Sequence, residues 1–236
     1  MSPHTKIDTL ILSDTHLGSP VGKARQIASL LKQHKFKRLI LLGDIIDNSA
    51  FDHLDKDHLS FMEMIRKLAA PESGCEVIWI SGNHDRKMRG SVKKLIGIPV
   101  HEHYAWEHNH KKFLAVHGDQ FDGFIESNSR TNAMAHSFFL YLQRLDPKGQ
   151  HLIKYVDRSN AFLRRLSKKV STGAIAYAKT QDAEIVFCGH THVPMEKIHN
   201  DGDSHIHYVN VGCWTHTPST FAAIDDKGNV MLEKYV

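Results

Sequence analysis

The chain has 236 residues, 41% hydrophobic and 24% charged, with a formal net charge of +4, which describes an ordinary globular protein with one sizeable core. No apolar run approaches the roughly 18–20 residues of a membrane span, and the polar start followed by a short Ile7–Leu12 run does not read as a secretory leader, so a cytoplasmic location is expected. Cys75, Cys188 and Cys213 are far apart and lack CxxC spacing, which argues against a disulfide framework or a structural zinc knuckle.

In chain order, Thr9–Leu12 reads as a strand, and Ala24–His34 as a helix with Ile27, Leu30 and Leu31 on one face. Arg38–Leu42 is a second strand, Leu59–Leu68 a helix, Glu76–Ile80 a third strand and Ser91–Ile96 a short helix. This alternation implies βαβ units and a mostly parallel sheet. The tract holding His101, His103, His108 and His110 reads as two strands turning at Asn109, with solvated imidazoles. Strands follow at Lys112–Val116, Glu184–Cys188 and His207–Val211, and a hairpin of Phe221–Ile224 and Val230–Tyr235 closes the chain.

Residues 122–180 break the rhythm. Met134, Phe138, Leu142 and Leu145 recur at helical spacing, as do Leu152, Val156, Leu163, Leu166 and Val170. The spacing predicts two or more amphipathic helices inserted as a cap on a single domain spanning 1–236. The segment carries ten Lys/Arg against four acids, so the positive charge of the chain is concentrated there.

Five short motifs each follow an apolar strand: Asp14-Thr15-His16, Gly43-Asp44, Gly82-Asn83-His84-Asp85, His117-Gly118-Asp119 and Gly189-His190-Thr191-His192. Ligands of open α/β sheets bind at the carboxyl ends of strands, so the placement brings all five to one edge. Glycine before Asp44, Asn83 and His190 permits sharp turns close to a ligand. Carboxylates mixed with imidazoles suit Mn, Fe or Zn. Two such ions need a bridging carboxylate, clamp both oxygens of a phosphoryl transfer and supply hydroxide at neutral pH. Walker-A, GxSxG and Rossmann signatures are absent.

The ordered set D-x-H, G-D, G-N-H-D, H-G-D, G-H-x-H resembles the calcineurin-like metallophosphoesterases over nearly the whole chain. The resemblance implies a four-layer α/β/β/α sandwich. It implies that Asp14, His16, Asp44 and His192 hold one divalent ion, and that Asp44, Asn83, His117 and His190 hold another, with Asp44 bridging. Manganese is expected first; iron or zinc is compatible. His84 would contact the phosphate and protonate the leaving oxygen, with Asp85 orienting it. The Arg-Gly that follows the second motif in protein phosphatases is missing. His117-Gly118-Asp119-Gln120-Phe121-Asp122, the basic helical insertion and Cys188-Gly189-His190 are similar to the UDP-2,3-diacylglucosamine hydrolases of lipid A synthesis. His84 places the chain beside their second group, since the first reads G-N-R-D.

Such a substrate has acyl chains, a pyrophosphate and a nucleoside. Phe138, Phe139, Leu142 and Leu163 are candidates for lipid contact, and Arg130, Lys154, Arg158, Arg165 and Lys169 for the phosphates. A basic amphipathic cap also suits peripheral contact with an anionic inner membrane. A phosphodiesterase or nuclease on the same fold is the alternative; no aromatic-basic stacking platform favours nucleic acid. A non-catalytic scaffold of this fold would lack catalytic histidines, and every one is present here.

Overall fold

Continuous apolar runs favour strands covered on both faces. Ile7–Leu12 (β1), Arg38–Leu42 (β2) and Glu76–Ile80 (β3) each end in such a run (residues 10–12, 39–42 and 77–80), and every residue of β1 is buried. They pair in parallel, Leu10 beside Leu39 and Leu41 beside Trp79. The computed structural model describes residues 6–47, 55–122, 161–202 and 204–236. Val100–His101 (β4) extends this sheet on one side; Ser219–Asp225 (β10) and Val230–Tyr235 (β11) add antiparallel on the other, giving the order β11-β10-β1-β2-β3-β4.

A second sheet runs β5-β6-β7-β9-β8. Its strands are His103–His108 (β5), Lys111–Val116 (β6), Ile185–Cys188 (β7), Met195–Asp201 (β8) and Ser204–Asn210 (β9). Side chains alternate across a strand, so each sheet feeds two cores. Ile11, Ile40, Leu42 and Ile80 of the first sheet meet Phe113, Phe187 and Val209 of the second in the middle of the molecule. Leu10, Leu12, Leu39, Leu41 and Trp79 point the other way, onto helices Ala24–Gln33 (α1), Lys56–Leu68 (α2) and Arg89–Ile96 (α3). Leu114, Val186 and Tyr208 pack on Ala174, Ile175 and Ala178 of helix Ala161–Thr180 (α4). The result is the four-layer α/β/β/α sandwich.

Several boundaries move for local reasons. Helix α2 starts at Lys56, not Leu59, because Asp55 caps it: its Oδ1 accepts from the backbone of Asp57 at 2.9 Å and His58 at 3.0 Å, while His58 Nδ1 accepts from Asp55 N. Helix α3 opens two residues before Ser91 and stops at Gly97 in the left-handed region, φ 88°. Strand β8 was not anticipated. Its sequence MEKIHND is mostly exposed because it forms a sheet edge, where little apolar surface is covered.

The C-terminal part of the 122–180 segment is a layer of the sandwich as well as part of any cap. Val170, Ala174, Ile175 and Ala178 of α4 are buried on the second sheet. Arg130, Phe138, Phe139, Lys154 and Arg158 lie outside the described residues. No helix among the described residues is long and apolar enough to cross a membrane.

Candidate metal centre

The backbone itself draws the motif loops together at one edge of the two sheets. Beyond β1, Asp14 N donates to Gly43 O at 3.1 Å and His16 N to Asp44 O at 3.0 Å. His84 N donates to Asp44 Oδ1 at 2.8 Å, and His190 N to Asp14 Oδ2 at 3.0 Å. Gly189 N reaches His117 O at 3.0 Å, across the join between β6 and β7. Asp14, His16, Asp44, His190 and His192 all adopt positive φ, between 44° and 66°. Each costs on the order of 1 kcal/mol, and such non-glycine residues gather at functional sites.

Two glycines are required by close approach. Gly43 has φ 78°, and a Cβ there would enter the His117 ring. A Cβ at Gly82 would overlap the Asp44 carboxylate. The turn residues thus let the backbone come close to the ligand side chains.

The side chains form compact clusters. Asp14, His16 and His192 offer ligand atoms within 4.8 Å of one another, and so do Asp44, His117 and His190. Asp14 Oδ1 lies 3.0 Å from His192 Nε2, and Asp44 Oδ2 lies 3.4 Å from His117 Nε2. His117 Nδ1 is bonded to Leu42 O at 2.9 Å, which directs Nε2 into the cluster. His117 Nε2 and Asn83 Oδ1 are buried with no hydrogen-bond partner. Buried, unpartnered polar atoms beside two carboxylates are what a cation site leaves when its ions are absent, so the residues present fit divalent ions.

Electrostatics agrees. Burial alone would lift the Asp44 carboxyl, but the positive charge of His117, with His84 and His16, holds it well below the usual range. Burial works against a charged His117, yet Asp44, Asp14 and Asp119 raise it to about 10. His16 likewise rises to about 9 against its burial, through Asp14, Asp47 and Asp44. A cation is the natural replacement for those protons.

The Asp85 carboxylate is engaged elsewhere than expected: it accepts from Gly82 N at 2.7 Å, Ile45 N at 3.0 Å and Trp79 Nε1 at 3.3 Å. It ties the loop after β3 to the loop after β2. Burial, then the nearby Asp44 charge, raises its carboxyl to about 6. Two carboxylates lie beside the His84 ring: Asp44, with Oδ2 3.9 Å from Nε2, and Asp47, with Oδ1 3.8 Å from Nδ1 and its Oδ2 3.7 Å from His16 Nδ1. Sequence reasoning passed over Asp47, although it stands three residues after Asp44 on the same turn. Asp122 was also missed; its Oδ2 is 3.3 Å from His190 Nε2. Asp119 is paired with Arg86.

A cavity of about 870 Å³ opens beside His192. Leu163, Val193, Pro194, Met195 and Leu232 give it apolar walls, with Arg164, Lys168, Lys197 and Lys234 also among its lining residues. Arg165 and Lys169, singled out from sequence, are exposed on α4 and are not in that lining; their neighbours Arg164 and Lys168 are.

A profile of the "Calcineurin-like phosphoesterase" family matches residues 7–194. A UDP-2,3-diacylglucosamine hydrolase of Porphyromonas gingivalis is 31% identical over 117 residues, 46% of this chain and 44% of that protein. The match thus spans less than half the length of that relative. Among solved structures, Vacuolar Protein Sorting 29 of Cryptosporidium parvum is similar in fold, with a TM-score of 0.50, 13% identity and 98% of each chain covered. A novel archaeal phosphodiesterase aligns with a TM-score of 0.49 and 16% identity, over 96% of this chain and 99% of its own. With the family profile matching most of the chain and the motif loops converging on two carboxylate–imidazole clusters, the chain belongs to the calcineurin-like phosphoesterase family.

Proposed function

We propose that the chain hydrolyses the pyrophosphate of UDP-2,3-diacylglucosamine, releasing UMP and 2,3-diacylglucosamine 1-phosphate. The observation that carries this is the cavity of about 870 Å³ beside His192, apolar in its walls and supplied with four cationic side chains. A substrate with acyl chains and a pyrophosphate matches both properties. The 31% identity to the Porphyromonas gingivalis hydrolase supports the same reading.

Asp14, His16 and His192 would hold one divalent ion, and Asp44, Asn83, His117 and His190 the other, with Asp44 shared. When bound, the ions neutralise phosphoryl charge and supply hydroxide at neutral pH. The protein's own groups do the rest. His84 is the proton donor to the leaving oxygen, with the Asp47 carboxylate 3.8 Å from its Nδ1. Asp122 and the Leu42 carbonyl fix the tautomers of His190 and His117. Arg164 and Lys168 face the charged part of the substrate. The cap would cover the acyl chains, and its basic face would meet an anionic membrane.

The test is a substrate panel with Mn²⁺ present. UDP-2,3-diacylglucosamine should be cleaved to UMP far faster than oligonucleotides or deacylated UDP-sugar. Preferential cleavage of oligonucleotides would establish the nuclease alternative instead, and equal rates on acylated and deacylated sugar would remove the lipid role of the cavity.

A further inference from the structure

Another group of ligand atoms lies against the metal centre and has a different character. Cys213, His216 and His192 place one ligand atom each within 4.8 Å of the others. The remaining candidate groups among the described residues, Asp14–His16–His192, Asp44–His117–His190 and His16–Asp47–His84, combine carboxylate with imidazole. This one combines a thiol with two imidazoles. Thiolate and imidazole favour zinc and other soft divalent ions over manganese.

The geometry is built rather than accidental. The His192 and His216 rings are 5.9 Å apart, edge to face. The strap carrying Cys213 and His216 is pinned at several points. Trp214 N donates to Asp14 O at 3.1 Å, and Thr220 N to Cys213 O at 3.2 Å. Lys23 Nζ donates to His216 O at 2.5 Å, to Thr217 Oγ1 at 2.7 Å and to Ser219 Oγ at 3.1 Å. All three ligand residues line the cavity, which gives an ion a route in from solvent.

His192 is shared. It belongs to this group and to the group with Asp14, whose Oδ1 lies 3.0 Å from its Nε2. A neutral imidazole offers one lone pair to a cation, so His192 can serve one group at a time. We propose that Cys213, His216 and His192 form an inhibitory site for zinc or a similarly soft divalent cation, whose occupancy withdraws His192 from the catalytic pair. Binding releases the Cys213 thiol proton to solvent and forms a sulfur–metal bond.

The test uses the 236-residue chain loaded with manganese. Titration with Co²⁺ as the spectroscopic probe should produce a sulfur-to-cobalt charge-transfer absorption. The band should persist in Cys75→Ser and Cys188→Ser and vanish in Cys213→Ser. In parallel, Zn²⁺ should inhibit bis-p-nitrophenyl phosphate hydrolysis, and Cys213→Ser or His216→Asn should weaken that inhibition about tenfold or more relative to each variant's own uninhibited rate. Added Mn²⁺ should relieve the inhibition in the wild type. A wild-type protein without the band, a band that survives Cys213→Ser, or equal zinc sensitivity in all variants overturns the proposal. The spectral titration does not depend on which phosphoester the enzyme cleaves, so it decides the site even if the proposed substrate is wrong.

Discussion

An imidazole can protonate a leaving oxygen only if it stands near the ions without being spent on one of them. The His84 side chain is 15% exposed, with Nε2 3.9 Å from Asp44 Oδ2 and Nδ1 3.8 Å from Asp47 Oδ1. It lies edge-on to His16, ring centroids 4.8 Å apart. His84→Ala should therefore retain both metals by elemental analysis while kcat falls by about 10²-fold or more. Asp47→Asn keeps the shape but removes the charge that orients two imidazoles, and should lower kcat about tenfold with a shifted pH profile. Unchanged turnover in His84→Ala would remove that residue from the mechanism. At this scale the sequence is informative about residue type and only partly about pairing. Asp14, His16, Asp44, Asn83, His117, His190 and His192 stand out as candidate ligands through glycine, carboxylate and imidazole at strand ends. Which carboxylate meets which ring depends on backbone donors: Gly82 N and Ile45 N capture Asp85. Those donors are set by the path of two loops, which residue spacing does not specify.

The hairpin of β5 and β6 shows how much an element owes to its turn. Asn109 and His110 have φ of 49° and 62°, the two positive values of a type I′ turn. Asparagine tolerates this conformation and histidine less so, whereas glycine adopts it freely. His110→Gly should raise stability by about 0.5–1 kcal/mol, read as a higher denaturation midpoint with an unchanged slope. A lower midpoint would show that the exposed His110 side chain contributes contacts that outweigh the turn. The same contrast governs which elements could be read from sequence. Arg38–Leu42 and Glu76–Ile80 were legible to the residue because, past the charged first residue, both are covered on two faces, and a stretch of that kind is apolar throughout. Met195–Asp201 was invisible because an edge strand is held by backbone hydrogen bonds to β9, which carry no side-chain pattern. Helix α4 was legible as amphipathic, but the spacing of Leu163, Leu166 and Val170 could not tell whether the apolar face covers a sheet or a substrate. The structure divides the helix: Val170 onward packs on the second sheet, and Leu163 lines the cavity.

The whole molecule closes on a concentration of opposite charge that only its ions can satisfy without protons. His16 and His117 rise from the ordinary 6.5 to about 9 and about 10, against the cost of burial, because Asp14, Asp44, Asp47 and Asp119 surround them. In a chelator-stripped sample at pH 7 both imidazoles therefore hold their protons. A metal-bound imidazole must be neutral, so binding expels them. Mn²⁺ titrations in buffers of different ionisation enthalpy should show net proton release at pH 7, and affinity should increase as pH rises toward 9–10. Stability follows the same linkage with a definite sign. A histidine whose folded pKa lies above its unfolded value stabilises the fold fully below about 6.5, and that contribution disappears as pH passes through the folded value. The metal-free protein should thus lose thermal stability between pH 7 and pH 10. The manganese-loaded protein should lose less, because the ions hold the carboxylates together where the protons no longer do. Metal affinity that is flat across this range would mean that the imidazoles are already neutral in the metal-free protein. The carboxylates would then repel one another unopposed, and the fold would have to hold that repulsion by its β-sheet scaffold alone.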